Sequence, residues 1–171
     1  MVVRMAVTGP PGIGKSTLVE KAAAASGHRV GGMLAKDKRF KDRRIGFELV
    51  DLASGATGML ADESGSGPKL GKYRVHLDEL DKIGAKAVED AINYDLIVVD
   101  EIGPMELSSR RFVLAVEKAM ASPKPMIVVL HEWSSHPLAK KIRGTFQVIV
   151  VTRENRDSLV EEIVKVLKGQ R

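Results

Sequence analysis

The stretch "TGPPGIGKSTL" (residues 8–18) decides how the rest of the chain is read. It sets three glycines, two prolines, a lysine and a Ser-Thr pair between two apolar runs. The run before it, "VVRMAVT" (Val2 to Thr8), is short and valine-rich, and predicts a buried strand. The run after it, "KSTLVEKAAAASG" (Lys15 to Gly27), predicts a helix. Its expected inner face is Leu18, Ala22 and Ala25, with Gly27 as the stop. Gly9-x-x-x-x-Gly14-Lys15-Ser16 thus fits the G-x-x-x-x-G-K-[ST] spacing, strand before and helix after. Glycines let successive N–H groups turn toward one anion. The helix start adds unsatisfied N–H groups and the positive end of its dipole. Lys15 supplies a full charge for β- and γ-phosphates, and the Ser16 hydroxyl is a Mg²⁺ ligand. Pro10 and Pro11 stiffen the turn and remove donors not aimed at the anion.

A phosphate loop needs an acid on a nearby strand to hold the metal shell. "DLIVVDEIG" (Asp95 to Gly103) supplies it: four apolar residues, then Asp100 and Glu101. This predicts a central parallel strand with charge at its carboxyl end, Asp100 standing at Mg²⁺ or at its bound water. "PMIVVLH" (Pro125 to His131) predicts a neighbouring strand, with His131 either near a γ-phosphate or purely structural.

Apolar strands and helical segments alternate through most of the chain. "HRVGGMLA" predicts a second strand and "RIGFELVDLASG" a hairpin arm with Ile45, Phe47 and Leu49 inward. "TGMLADESGSGPKLG" predicts a loop. "HLDELDKIGAKAVEDAINY" predicts a helix with Leu80, Ile83, Ala87 and Ala91 on its apolar stripe and Asp78 as N-cap. Ser108 and Ser109 are capping candidates for a helix from Arg110 to Ala121, and "HPLAKKIRG" predicts a short helix. "TFQVIVVT" predicts a last strand. Asn155 would cap a final helix with Leu159, Ile163, Val166 and Leu167 inward. The expected fold is α/β: a mostly parallel central sheet with helices on both faces, and a small antiparallel excursion near residues 33–60. No repeat, linker or composition shift marks a boundary, so residues 1–171 are expected to form a single domain.

Composition narrows the function classes. Of 171 residues 44% are hydrophobic, too many for a disordered chain. No apolar run approaches the roughly 20 residues that span a bilayer, and no secretory signal opens the chain. The absence of cysteine excludes disulfides and thiolate metal sites. A cytoplasmic location is the expectation. The net charge of +5 concentrates in "KDKRFKDRR" (Lys36 to Arg44), which holds six basic residues and two aspartates. A solvated hairpin and a phosphate-facing surface both fit that stretch. Only Phe40 offers an aromatic platform within it, so nucleic-acid binding is weakly supported.

Taken in order, "TGPPGIGKSTL", "RIGFELVDLASG", "LGKYRV", "DLIVVDEIGPMEL", "LH…HPL" and "VTRENRDSL" resemble the P-loop nucleoside-triphosphatase family of the cancer-related nucleoside-triphosphatase type. The resemblance runs from residue 3 to about residue 167. It implies slow Mg²⁺-dependent hydrolysis of ATP, GTP and other nucleoside triphosphates. It also implies two nucleotide-contacting segments. One is Gly9, Pro10, Pro11, Gly12, Ile13, Gly14, Lys15 and Ser16, with Thr17 beside it. The other is Leu96, Ile97, Val98, Val99, Asp100, Glu101, Ile102 and Gly103. Resemblance to P-loop ATPases with Asp-Glu at this point implies that Glu101 polarises the attacking water. Lys15 and Glu101 are then the catalytic pair, and Ser16 and Asp100 the metal ligands. The chain departs from the family in two places. "AKDKR" stands where T-E-E-V-R is usual, leaving Arg39 as a candidate arginine finger or a solvated arginine. Glu132 and Trp133 follow His131 where arginines are common, which implies slow turnover. Two other functions fit the loop: a small-molecule or nucleotide kinase, and an NTP-driven switch on nucleic acid. The sequence leaves the oligomeric state open.

Overall fold

The computed structural model describes residues 2–169. Nine strands form one sheet in the order β5-β6-β4-β3-β2-β7-β8-β1-β9. Five of them, β2 (Val30–Phe40), β7 (Leu96–Ile102), β8 (Met126–Leu130), β1 (Arg4–Thr8) and β9 (Gln147–Val150), pair in parallel. Their apolar runs follow from burial on both faces. Leu96 and Val98 face one core with Met5, Val7, Ile127 and Val129, while Ile97 and Val99 face the other with Ala6 and Val128.

The first of these cores is closed by α1 (Lys15–Ala25) and α6 (Arg156–Lys168) through Leu18, Val19, Ala22, Leu159, Ile163 and Leu167. The second lies under α3 (Lys86–Asp90), α4 (Arg110–Ala121) and α5 (Pro137–Thr145). Before α3 come a short α2 (Leu77–Glu79) and a stretch of wider π-helical turns, Leu80–Ala85. Ser109 caps α4, accepting from the Phe112 amide at 3.0 Å. Ser108 instead donates to the Met105 carbonyl. α5 starts at a proline, with His136 Nδ1 accepting from the Leu138 amide at 3.1 Å.

The antiparallel excursion is longer than the sequence suggested. It runs from the outer half of β2 through β3 (Arg43–Asp51), β4 (Thr57–Asp62) and β5 (Lys69–Leu70) to β6 (Tyr73–Val75). "TGMLADESGSGPKLG" therefore holds two strands instead of being all loop. Lys41 and Asp42, with φ of 49° and 61°, make the tight turn between β2 and β3 that right-twisted hairpins favour. This turns the basic stretch into a solvated hairpin. Much of its charge is paired, Lys38 to Glu48 at 2.9 Å and Lys36 to Glu20 at 3.6 Å.

Several expected faces are corrected. Leu49 is buried and Phe47 half-buried, but Ile45 is exposed. Ala25 and Val166 are also exposed: α1 turns Ala23 inward instead, and α6 buries Leu159, Ile163 and Leu167, as expected, without Val166. Asp78 is not the N-cap of its helix; His76 holds that position without a side-chain bond. Asn155 is the N-cap residue of α6, as expected, but its side chain makes no capping bond; its amide oxygen accepts from the Thr152 amide at 2.7 Å.

Candidate active site

The cleft follows from where the parallel strands end. β1 runs into the loop Gly9–Gly14, and α1 begins at Lys15. Gly9, Gly12 and Gly14 have φ of 142°, 77° and 106°, values that a side chain would strain. The turn is pinned by the Ile13 amide donating to the Pro10 carbonyl at 3.3 Å. Lys15 lies back across the loop, its Nζ donating to the Gly9 carbonyl at 2.6 Å. The amine is thus held inside the turn that it would share with an anion.

β7 brings the acids. Successive strand residues normally point to opposite faces, yet Asp100 and Glu101 both line the cleft. The β7–β8 register slips between Asp100, opposite Val129, and Ile102, opposite Leu130, leaving Glu101 unpaired. A bulge of this kind re-aims a side chain at a strand end. Asp100 is only 2% exposed. Burial pushes its carboxyl up to about 7; the neighbouring Ser16 hydroxyl pulls the other way, and the Glu101 charge adds to the rise. Asp100 Oδ2 is a buried oxygen with no hydrogen-bond partner among the described residues. An orphan carboxylate oxygen beside a serine hydroxyl fits a hard divalent cation. Among the described residues no group of three or more His, Asp or Glu could hold a metal by itself. That suits Mg²⁺, which keeps waters and takes phosphate oxygens as ligands.

The cleft has a volume of about 900 Å³ and is bordered by the loop, the β7 end, the segment after β8 and the antiparallel extension. Of the expected nucleotide segments, Gly9, Pro11, Gly12, Gly14, Lys15, Ser16, Thr17, Asp100 and Glu101 line it. Pro10 and Ile13 do not; Ile13 packs against the core under α1. Leu96, Ile97, Val98 and Val99 are core residues at most 1% exposed, and with Ile102 and Gly103 they lie outside the lining. Those six support the cleft from behind. His131, Glu132 and Trp133 form one rim, and Trp133 is 80% exposed. Arg143 clamps that rim, its guanidinium donating to the carbonyls of Ser134, His131 and Glu132 at 2.6, 3.1 and 3.1 Å. Arg39 is held on the hairpin by the Asp42 carbonyl at 2.9 Å and Asp37 at 3.3 Å, outside the lining. The Arg39→Ala variant should therefore keep phosphate release within about twofold of wild type, where loss of a working finger costs 10³-fold or more.

Glu106 is the residue that sequence reasoning missed. It is 5% exposed, lines the cleft, and accepts from the Gly103 amide at 3.2 Å. Glu101 and Glu106 converge on Gly103. A Cβ there would stand 2.7 Å from Glu101 Oε1 and 3.2 Å from Glu106 Oε2. Burial first, then the Glu101 charge, raises the Glu106 carboxyl to about 8. The folded protein then keeps a proton that the unfolded chain releases near the ordinary glutamate value of about 4.3. Between those values the native state binds more protons, so stability falls as pH rises, by up to about 1.4 kcal/mol per pH unit. Urea unfolding from pH 5 to 8 should show that slope, to which the raised Asp100 adds up to about pH 7, and the Glu106→Gln variant should reduce it, most clearly between pH 7 and 8. An unchanged slope would mean that Glu106 is ionised in the fold.

Comparison with known proteins agrees with this construction. A sequence model for a family described as NTPase matches residues 4–164. The nucleoside-triphosphatase THEP1 of Methanosarcina acetivorans is 51% identical over 166 residues, 95% of each chain. The crystal structure of THEP1 from Aquifex aeolicus superposes with a TM-score of 0.83 at 31% identity, covering 98% of this chain and 99% of that one. The solution structure of a human cancer-related nucleoside triphosphatase gives 0.82 at 31% identity, covering 99% of this chain and 100% of that one. With its phosphate loop, its acid-tipped neighbouring strand and a match across most of its length, the chain belongs to this NTPase family.

Proposed function

We propose that the chain is a Mg²⁺-dependent nucleoside-triphosphatase, releasing phosphate and the nucleoside diphosphate. The observation that carries this reading is the Asp100 carboxylate beside the Ser16 hydroxyl, with its Oδ2 left unpartnered, at the mouth of the loop that holds Lys15. In this mechanism the loop amides and the start of α1 grip the polyphosphate. Lys15 swings from the Gly9 carbonyl to the β- and γ-oxygens and stabilises the charge that builds there. Ser16 and Asp100 would hold Mg²⁺, which neutralises charge on the bridging phosphates when bound. Glu101 orients a water at the γ-phosphorus and accepts its proton. The buried Glu106, its carboxyl raised to about 8, stays protonated beside Glu101. ATP, GTP and other triphosphates are all expected substrates. Turnover is slow because no arginine reaches the lining from the segment after β8. The same reading takes the chain as one domain working in the cytoplasm; among the described residues no helix is long and apolar enough to cross a membrane.

The test is a Mg²⁺ assay with a panel of nucleoside triphosphates, scoring free phosphate. Phosphate release from several of them, abolished by EDTA, is the expected result. Release that is unaffected by EDTA would overturn the metal assignment, and none with any triphosphate would overturn the activity.

A further inference from the structure

The cleft is larger than a polyphosphate needs, and its far end differs in character from the loop end. Ligand pockets run to about 300–1,000 Å³ and combine apolar walls with a few placed polar groups. Here the walls beyond Glu101 come from β2, β3, β4 and β5, which carry Ala35, Phe47, Leu60 and Leu70, and from Met105 after β7. On the sheet these strands lie on the side of β7 away from β1 and the phosphate loop. One cation stands among them. Arg44 lies over the Phe47 ring at 5.0 Å and the Tyr73 ring at 5.8 Å, and no salt bridge joins it among the described residues. Asp37, the acid on the same wall, is paired with Arg39 at 3.3 Å, and its charge also acts on Arg44 without a direct salt bridge.

The polarity of the nucleotide says what this space is not for. Lys15, Ser16 and Asp100 take the β- and γ-phosphates, and Glu101 stands past the γ end, so the nucleoside leaves the loop in the other direction. From this the geometry points to a second ligand site: a compartment for a small molecule with an apolar body and one anionic group, bound beside the terminal phosphate with Arg44 as its counter-charge. The inference rests on the nucleotide orientation of the proposed function. The Arg44 guanidinium, near two rings that stand at 83° to each other, keeps donors to pair with a carboxylate or sulfonate. The apolar walls contribute the remaining affinity by burying the body.

The test uses the full chain and 8-anilinonaphthalene-1-sulfonate, a fluorescent aromatic anion, as probe. One saturable site is expected, with fluorescence displaced by benzoate and not by benzyl alcohol. It should persist in saturating Mg²⁺ and a non-hydrolysable ATP analogue, since the two ligands occupy different ends of the cleft. The exposed Arg44→Gln should weaken the probe at least about tenfold, and Leu70→Glu, on a half-buried edge strand, should do the same by repulsion and lost wall. Both variants should still release phosphate from ATP. Equal displacement by benzyl alcohol, an unchanged affinity in Arg44→Gln, or competition between the probe and the ATP analogue would each overturn the proposal. Failure here with phosphate release intact sinks the second site alone. Failure of phosphate release with probe binding intact sinks the nucleotide reading.

Discussion

Replacing Lys15 by alanine should reduce phosphate release by at least about 10³-fold while leaving the fold intact. The lysine is the one full positive charge inside the loop, and its Nζ is already parked on the Gly9 carbonyl at 2.6 Å. The acids across the cleft, Asp100 and Glu101, cannot take over its role, because they repel the charge that develops on the transferring phosphoryl group. Loss of a single preorganised hydrogen-bond donor costs about 10²–10³ in rate, and an ammonium at the γ-phosphate supplies more than a neutral donor does. The fold is spared for a local reason. Lys15 opens α1, alanine is the best helix former, and the helix's own first bond, Leu18 amide to Gly14 carbonyl at 3.0 Å, does not involve the side chain. Steady-state phosphate release, with circular dichroism as the control for folding, checks this. A near-normal rate would remove Lys15 from the reaction and with it the reading of the loop.

The loop was legible because its chemistry is local. Three glycines, a lysine and a serine at fixed spacing specify a backbone shape with no help from the rest of the chain, and the positive φ angles at Gly9, Gly12 and Gly14 are what that spacing requires. The doubly buried strands were legible for a similar reason, since a run such as Leu96–Val99 has no exposed face to break it. What stayed hidden depends on partners far away in sequence. Thr57–Asp62 looks like loop because glycine and aspartate are poor strand formers, yet it becomes a strand by pairing with β3. Asn155 carries a capping side chain, but the end of β9 claims it through the Thr152 amide and the Val150 carbonyl. Glu106 has no pattern to distinguish it from a surface acid. Only the packing of the segment after β7 buries it beside Glu101, so its displaced proton equilibrium is a property of the tertiary structure.

That carboxylate pair gives Glu101→Gln its diagnostic value. Glutamine keeps the size of the side chain, so the crowding at Gly103 is unchanged and the bulge at the end of β7 is undisturbed. What disappears is the capacity to accept a proton from water. Removing a general base typically costs 10²–10⁴-fold, so phosphate release should fall at least about 10²-fold. Triphosphate affinity should be retained or improved, since the loop, Lys15, Ser16 and Asp100 remain and one negative charge near the terminal phosphate is gone. A second consequence follows at Glu106. The Glu101 charge is the second contributor, after burial, to the raised Glu106 value, so neutralising it must lower that value and shorten the pH window in which stability declines. Titration calorimetry with a non-hydrolysable triphosphate, single-turnover phosphate release and urea unfolding at pH 5 and pH 8 read the three effects separately. Loss of binding and turnover together would make Glu101 a structural support for the cleft. Loss of turnover alone, with the weakened pH slope, identifies it as the group that faces the water.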